Sequence, residues 1–378
     1  MDTKISETVR SFMQEAILMA KTTSRRVSPN PRTGAVIVSD GKIIGRGRHE
    51  VFGEAHAEVN AINDVGTGVK GCDIYVTLEP CSHTGKTPPC ADKIIASGIK
   101  RVFIGMRDPN PLVAGRGVEK LRQAGIEVVE DVLHEACLNL NQPFIKMMTL
   151  QTPYIIAKMA LTLDGFIADK SGESKWISSH DARVIVHQMR ADCDAVLIGL
   201  GTALKDDPEL TVRDVRGEHP LRVVYDPEGM LPTHLNLVKH AKDIGTTVIT
   251  GTQSTHQWRA NMERLGVKLI IAKQPGNIGL REALNFLGQE GISSILCEGG
   301  GHMHTLLAEL DMIDRVDCFI APKLIGKGIR MMQIPEKPMR KAMKFIEHSW
   351  EKIDTDIYFK GILKSYGLDQ STQHKDGE

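Results

Sequence analysis

The stretch Thr77-Leu78-Glu79-Pro80-Cys81-Ser82-His83-Thr84-Gly85-Lys86-Thr87-Pro88-Pro89-Cys90 decides how this 378-residue chain is read. Two cysteines stand in a loop of prolines, glycine and hydroxyl residues, directly after an apolar run at 74–78 that reads as a strand. Upstream lies His56-Ala57-Glu58. One imidazole and two thiolates make a three-ligand set for zinc. Three protein ligands leave the fourth tetrahedral position to water, as in a catalytic rather than a structural site. Cys90 opens an apolar run at 90–97 closed by Gly98, so its thiol is expected at a helix N-terminus, where the dipole favours the thiolate. Residues 53–62 carry His56 and Glu58 into another helix. Residues two apart do not share a helical face, so Glu58 is free to act beside the metal as base and then acid. His-x-Glu alone is a weak signal; joined to Pro80-Cys81 after a strand and Cys90 at a helix start, it is specific.

The length exceeds one ordinary core, which predicts two domains. Lys+Arg and Asp+Glu are equal at 47, so the net charge is zero, which weighs against a nucleic-acid partner that would call for a basic face. No apolar run has the length of a membrane span, and residues 1–19 mix acids with apolar residues rather than forming a signal core. A cytoplasmic protein without a membrane or nucleic-acid partner is expected. Seven cysteines, an odd number, argue against a disulfide framework. Cys72, Cys137, Cys193, Cys297 and Cys318 read as small buried apolar side chains.

In the first half, Val9, Phe12, Met13, Ala16, Ile17 and Ala20 recur at helical spacing, and Ser28-Pro29-Asn30-Pro31 ends that helix. Runs at 35–38 and 42–45 flank Ser39-Asp40-Gly41, a hairpin signal. A strand at 101–105, a turn at Asp108-Pro109-Asn110-Pro111, a strand at 126–129 and a helix at 132–140 follow. Strands alternating with helices predict a largely parallel sheet covered on both faces.

His56-Ala57-Glu58, the 77–90 loop and Asp108-Pro109-Asn110-Pro111-Leu112-Val113-Ala114-Gly115-Arg116-Gly117 together resemble the bifunctional deaminase/reductase family of riboflavin biosynthesis. The wide spacing of Cys81 and Cys90, with Thr87-Pro88-Pro89-Cys90, sets that family apart from other cytidine-deaminase-like proteins. The likeness runs roughly from residue 6 to residue 364. It implies an N-terminal cytidine-deaminase-like three-layer α/β/α domain at 1–148 and a C-terminal dihydrofolate-reductase-like α/β domain at 149–366; the polar composition of 367–378 predicts a disordered tail. The likeness implies one Zn2+ on His56, Cys81 and Cys90, with Glu58 shuttling protons as the 2-amino group of 2,5-diamino-6-(5-phosphoribosylamino)pyrimidin-4(3H)-one is hydrolysed to ammonia. Asn30, His49, His83, Lys86, Asp108 and Asn110 match the substrate pocket. One departure is Thr33, where relatives usually carry an apolar residue.

The second half begins after a seam at 142–153 that holds two prolines and an apolar stretch, so a packed connection is expected. A buried strand at 154–160, a helix at 179–190 and a strand at 194–198 lead into Gly199-Leu200-Gly201-Thr202, an incomplete dinucleotide fingerprint. The run at 292–297 reads as the last parallel-type strand. It meets Glu298-Gly299-Gly300-Gly301 and a helix, a phosphate-binding signal. Runs at 315–321 and 356–363 suggest an antiparallel edge. The resemblance implies an NADPH-dependent domain, not a Rossmann domain. Ala160, Trp176, Thr202, Asp206, Gly300, Gly301, His302, Met303, His304, Thr305 and Leu306 match cofactor contacts, with the side chains of 302–304 open to solvent. Ser174, Arg190, Leu210, Arg213 and Glu298 match contacts to the phosphoribosyl substrate. Arginines suit the sugar phosphate, a carboxylate suits a cationic imine, and Lys158 is the candidate proton donor. Asp226-Pro227 departs from relatives, which often carry a hydroxyl residue there. The product implied is 5-amino-6-(5-phosphoribitylamino)uracil, formed by a homo-oligomer, dimer or tetramer. The alternative is a zinc nucleobase or tRNA deaminase with a non-catalytic second domain; zero net charge and the long cysteine spacing weigh against it.

Overall fold

A computed structural model describes residues 5–110, 113–336 and 338–367. The tail expected to be disordered lies outside the described residues from position 368 on. The chain divides after Leu150. Residues up to Leu150, joined by Tyr366, form one unit, and Gln151–Ser365 form the other. The seam at 142–153 is therefore mostly a helix of the first unit, with Ile145 fully buried.

The first unit runs α1 (Glu7–Lys21), β1 (Gly34–Ser39), β2 (Lys42–Arg48), α2 (Ala57–Val65), β3 (Asp73–Leu78), α3 (Cys90–Ala96), β4 (Arg101–Met106), α4 (Arg116–Gln123), β5 (Glu127–Val129), α5 (His134–Leu140) and α6 (Gln142–Leu150). Helix α1 begins at Ser6, whose hydroxyl accepts from the Val9 N–H, and it buries Met13, Ala16, Ile17 and Ala20 along one stripe. The sheet order is β2-β1-β3-β4-β5. Strand side chains alternate between two cores. Ala35, Ile37, Ile74, Val76, Val102 and Ile104 pack with α2, α3 and α4. Val36, Val38, Tyr75 and Phe103 pack with α1 and α5. This is the expected three-layer arrangement, but the sheet is mixed. The β1–β2 hairpin is antiparallel, and β1 is also antiparallel to β3, so only β3, β4 and β5 run parallel. Gly47 lets α2 lie directly on β2: a Cβ there would stand 2.2 Å from the Ala57 carbonyl oxygen and 2.3 Å from the Ala61 nitrogen. That contact holds the start of α2, and with it His56 and Glu58, against the sheet.

The second unit runs β6 (Tyr154–Thr162), β7 (Phe166–Asp169), α7 (His180–Asp192), β8 (Ala195–Gly199), α8 (Leu200–Asp206), β9 (Leu221–Tyr225), α9 (Asn236–Lys239), α10 (Ala241–Ile244) and β10 (Thr246–Gly251). It continues through α11 (His256–Arg264), β11 (Lys268–Ala272), α12 (Gly276–Gln289), β12 (Ser294–Cys297), α13 (Gly301–Glu309), β13 (Arg315–Ala321), β14 (Gly328–Arg330), β15 (Glu347–Ile353) and β16 (Asp356–Ile362). Its main sheet has the order β11-β10-β9-β8-β12-β6-β13-β16-β15. The last parallel strand is β13 rather than β12, since β13 pairs in parallel with β6; only β16 and β15 form the antiparallel edge. No helix among the described residues is long and apolar enough to cross a membrane.

Candidate active site

In the first unit, β3 ends at Leu78 and delivers Cys81, α3 begins at Cys90, and His56 is the N-cap of α2. The three ligand atoms lie within 4.8 Å of one another. His56 Nδ1 is 3.3 Å from Cys90 Sγ and 3.7 Å from Cys81 Sγ. Donors bound to one tetrahedral zinc stand about 3.5 Å apart, so the set fits that ion. The Cys90 N–H, at the start of its helix, donates to Cys81 Sγ at 3.3 Å. The hydrogen bond from the Cys90 thiol draws Cys81 down to about 4, while the same contact and burial push Cys90 up. Two sulfurs and one imidazole nitrogen converging in so confined a space make a donor set that a cation would hold together. His56 is raised above its ordinary value by its contact with Cys81.

Glu58 sits in the first turn of α2, only 4% exposed, and burial pushes its carboxyl up to about 7. A carboxyl poised near neutrality suits a group that must both take and return a proton. A cavity of about 270 Å³ opens beside it. That cavity gathers Asn30, His49, His56, Glu58, Cys81, His83, Lys86, Asp108 and Asn110 from sequence positions as far apart as 30 and 110. His49 is buried, and burial lowers its pKa. Its Nδ1 stands 3.1 Å from the Ala55 carbonyl and its Nε2 3.1 Å from the Asn30 amide nitrogen. Donating to Ala55 leaves Nε2 to accept from Asn30, which turns the Asn30 amide oxygen away from His49. Asp108 accepts the Asn110 N–H at 2.8 Å, and burial raises its pKa. His83 and Lys86 lie exposed on the rim, with Lys86 Nζ 4.0 Å from the Phe52 ring centroid. Thr33 also lines the cavity, and its carbonyl accepts the His49 N–H. Glu79, Phe52, Phe144 and Met148 complete the wall and were not singled out from sequence.

In the second unit, Lys158 in the middle of β6, Arg190 in the last turn of α7 and Glu298 just after β12 come together. Arg190 Nε and Nη2 donate to the two Glu298 oxygens at 2.6 and 3.0 Å, and Lys158 Nζ is 3.9 Å away. Burial lowers the Lys158 pKa. Burial pushes Glu298 upward, but Arg190 and Lys158 outweigh it and hold the carboxyl below its ordinary range. Arg190 Nη1 donates to the Thr211 carbonyl at 3.0 Å. The guanidinium fork expected to face a sugar phosphate is thus engaged by Glu298. Beside it, Leu210 is buried at positive φ and Arg213 pairs with Glu209 at 3.1 Å. Ser174 is half-buried in the loop after β7, and Trp176 is 64% exposed with the Arg183 guanidinium 4.5 Å from its ring.

At the β12–α13 turn, the Gly300 N–H donates to Thr202 Oγ1 at 3.2 Å, and α13 starts with no side-chain cap. Ala160 is half-buried two residues along β6 from Lys158, and Asp206 ends α8. His302 is exposed, but Met303 and His304 are 2% and 1% exposed, contrary to the solvent-facing expectation. Both point inward because α13 packs onto the sheet; His304 Nε2 lies 3.4 Å from the Cys297 carbonyl. Thr305 hydrogen-bonds the Gly301 carbonyl, and Leu306 joins the core. Asp226 is spent on its own turn, accepting from the Gly229 and Leu231 N–H groups, and the Pro227 carbonyl accepts from Gly251.

A His/Cys/Cys set with a buried glutamate on an α/β/α sheet defines a zinc deaminase of the cytidine-deaminase type, joined in one chain to a dihydrofolate-reductase-like domain. Two family models agree. The cytidine and deoxycytidylate deaminase zinc-binding region matches residues 6–106, and the RibD C-terminal domain matches residues 153–359. The chain is 40% identical over 359 residues to the riboflavin biosynthesis protein RibD of Aquifex aeolicus, covering 94% of this chain and 99% of that one. Among solved structures, Acinetobacter baumannii RibD has a TM-score of 0.84 at 35% identity, covering 95% of this chain and 99% of that one. The Thermotoga maritima diaminohydroxyphosphoribosylaminopyrimidine deaminase/5-amino-6-(5-phosphoribosylamino)uracil reductase has a TM-score of 0.81 at 38% identity, covering 94% and 99%. The chain belongs to the RibD family of riboflavin biosynthesis proteins.

Proposed function

We propose that this chain catalyses two successive steps of riboflavin biosynthesis. The first unit deaminates 2,5-diamino-6-(5-phosphoribosylamino)pyrimidin-4(3H)-one, and the second reduces the ribosyl group of the product to ribityl with NADPH. The observation that carries the reading is the convergence of His56, Cys81, Cys90 and Glu58 in a cavity also lined by Asn30, His49, Asp108 and Asn110. His56, Cys81 and Cys90 would hold one zinc, which when bound supplies a Lewis acid that lowers the pKa of water. Glu58 takes a proton through its carboxylate and returns one to the departing amine. Asn30, oriented by His49, offers its amide oxygen to an N–H of the pyrimidine. Asp108 and Asn110 supply polar contacts across the cavity, and Lys86 on the rim suits the phosphate.

In the second unit, the uncapped start of α13 and the Thr202-held turn at Gly300 fit a cofactor phosphate. Ala160, Trp176 and Asp206 complete the group that would hold NADPH, the hydride donor. Glu298 stabilises positive charge developing at the ribosylamine carbon. Lys158, its pKa lowered by burial, gives up a proton to the sugar oxygen more readily than an ordinary lysine. Leu210 and Arg213 flank this cluster through Thr211, whose carbonyl Arg190 holds and whose hydroxyl Arg213 reaches, and Ser174 is assigned with them to the substrate. A cytoplasmic setting is supported by seven free cysteines. A homo-oligomer is supported by exposed Ile346, Trp350 and Ile357 around the outermost strand β15.

The test is Glu58→Gln. Zinc content stays at the wild-type level while ammonia release falls at least ~100-fold, the scale of a lost general base. Ammonia release at the wild-type rate refutes the assignment.

A further inference from the structure

Glu79 follows β3 and precedes Cys81 by two residues, yet it is neither a ligand nor a base. Its side chain is 5% exposed, and both oxygens are fully used. One accepts the N–H groups of Asp108 at 3.2 Å and Gly115 at 2.9 Å. The other accepts those of Gly117 at 2.9 Å and Val118 at 3.2 Å. Gly115 is the N-cap of α4 and has no side chain to cap the helix. Glu79 therefore caps α4 from the metal loop, as an anion at a helix N-terminus. The fit is close: a Cβ on Gly117 would stand 2.0 Å from the Pro80 carbonyl oxygen. The Glu79 N–H in turn donates to the Met106 carbonyl at 2.9 Å, at the end of β4. The segment gripped this way begins at Asp108, which holds the Asn110 N–H.

We propose that Glu79 is a positioning residue, fastening the Asp108–Asn110 turn to the loop that carries Cys81. Two walls of one cavity are thereby locked in register: the metal ligands on one side, the polar contacts on the other. That Asp108 and Asn110 meet substrate rests on the proposed deamination. A carboxylate is the side chain this site calls for, because it accepts at both oxygens and donates at neither. In Glu79→Gln, whichever way the amide turns, its NH2 faces two N–H donors, and two of the four hydrogen bonds are lost.

The experiment uses full-length Glu79→Gln with three readouts. Zinc per chain is measured by metal analysis. KM and kcat for ammonia release are measured on the diamino phosphoribosyl pyrimidinone. Amide exchange is followed by mass spectrometry on peptides covering Asp108 and Gly115–Val118. Zinc is retained, KM rises about ten-fold or more, kcat stays within about three-fold, and exchange quickens at Asp108 and Gly115–Val118 but not in β1 and β2. A merely structural role would not raise KM selectively. Unchanged KM with unchanged exchange overturns the proposal. So does zinc loss with exchange spread through the whole unit. If Glu79→Gln does not accumulate folded, Glu79→Asp carries the test: its shorter carboxylate cannot reach both pairs, and a KM within error of wild type overturns the proposal. Wild-type protein that releases no ammonia refutes the deaminase reading instead, and the exchange pattern still decides what Glu79 holds.

Discussion

Replacing Glu298 with glutamine removes the only negative charge from the Lys158–Arg190–Glu298 cluster. The side chains of Arg190 and Glu298 are 12% and 8% exposed, and Lys158 is 17% exposed, so water screens the pair little. Glutamine keeps one acceptor for Arg190 but leaves two cations facing each other in a desolvated site. Stranding a buried charge costs about 3–5 kcal/mol. With one hydrogen bond retained we take about 3 kcal/mol. For the unit Gln151–Ser365, that lowers its melting temperature by about 7 °C. Loss of the charge that steadies a cationic intermediate also slows reduction about 100-fold. The first unit shares none of these contacts, so ammonia release is unchanged. Calorimetry and paired ammonia and NADPH assays read all three effects. A double variant, Glu298→Gln with Lys158→Met, removes the second cation and recovers about 1–2 kcal/mol of the loss. An unshifted melting temperature with reduction near the wild-type rate would refute the cluster's electrostatics. Equal loss of both activities would refute the separation of the two units.

Cys81→Ser removes a thiolate whose Sγ faces both His56 and the Cys90 N–H, and purified protein then carries no zinc; stoichiometric zinc in the variant rules out the ligand set. His304 makes stability depend on acid. Burial lowers its pKa to about 4, below the unfolded value of about 6.5, so the unfolded chain binds the extra proton between those values. Its contribution is complete above about pH 6.5 and falls by about 3 kcal/mol as pH drops to about 4. Denaturation midpoints over that range should fall more steeply in wild type than in His304→Leu, and identical slopes contradict the assignment.

The metal set was legible because each ligand stands where the chain changes state. His56 caps a helix, Cys81 follows a strand and Cys90 opens a helix, so residue type and punctuation coincide. The pocket's polar residues came from the family resemblance, and the fold gathers them in one cavity. Glu79 was not legible, since an acidic residue before proline reads as a solvated loop. Its meaning lies in four N–H groups some thirty to forty residues away, which no local pattern encodes. Phe144 and Met148 escaped for a similar reason: they reach the cavity on α6, within what read as a seam.

The run at 315–321 reads with 356–363 as an antiparallel edge, but β13 pairs in parallel with β6 on one side and antiparallel with β16 on the other. In the fold Arg315 and Asp317 pair at 2.6 Å, with Asp317 fully buried, and the strand lies between β6 and β16. The first sheet was expected to be largely parallel because strands and helices alternate. The rule does not fix the direction of a strand that already belongs to a hairpin, and β1 meets β3 antiparallel. Arg190 illustrates a limit of matching residues one at a time. Its type suits a phosphate, but its partner in space is Glu298, which follows it by more than a hundred positions.

The most direct test is a coupled assay on the zinc-loaded full chain with 2,5-diamino-6-(5-phosphoribosylamino)pyrimidin-4(3H)-one, following ammonia and NADPH together. The two-unit account predicts that ammonia appears first and that one NADPH is oxidised for each ammonia released. NADPH oxidation that precedes ammonia, or ammonia with no NADPH oxidation at all, would contradict it.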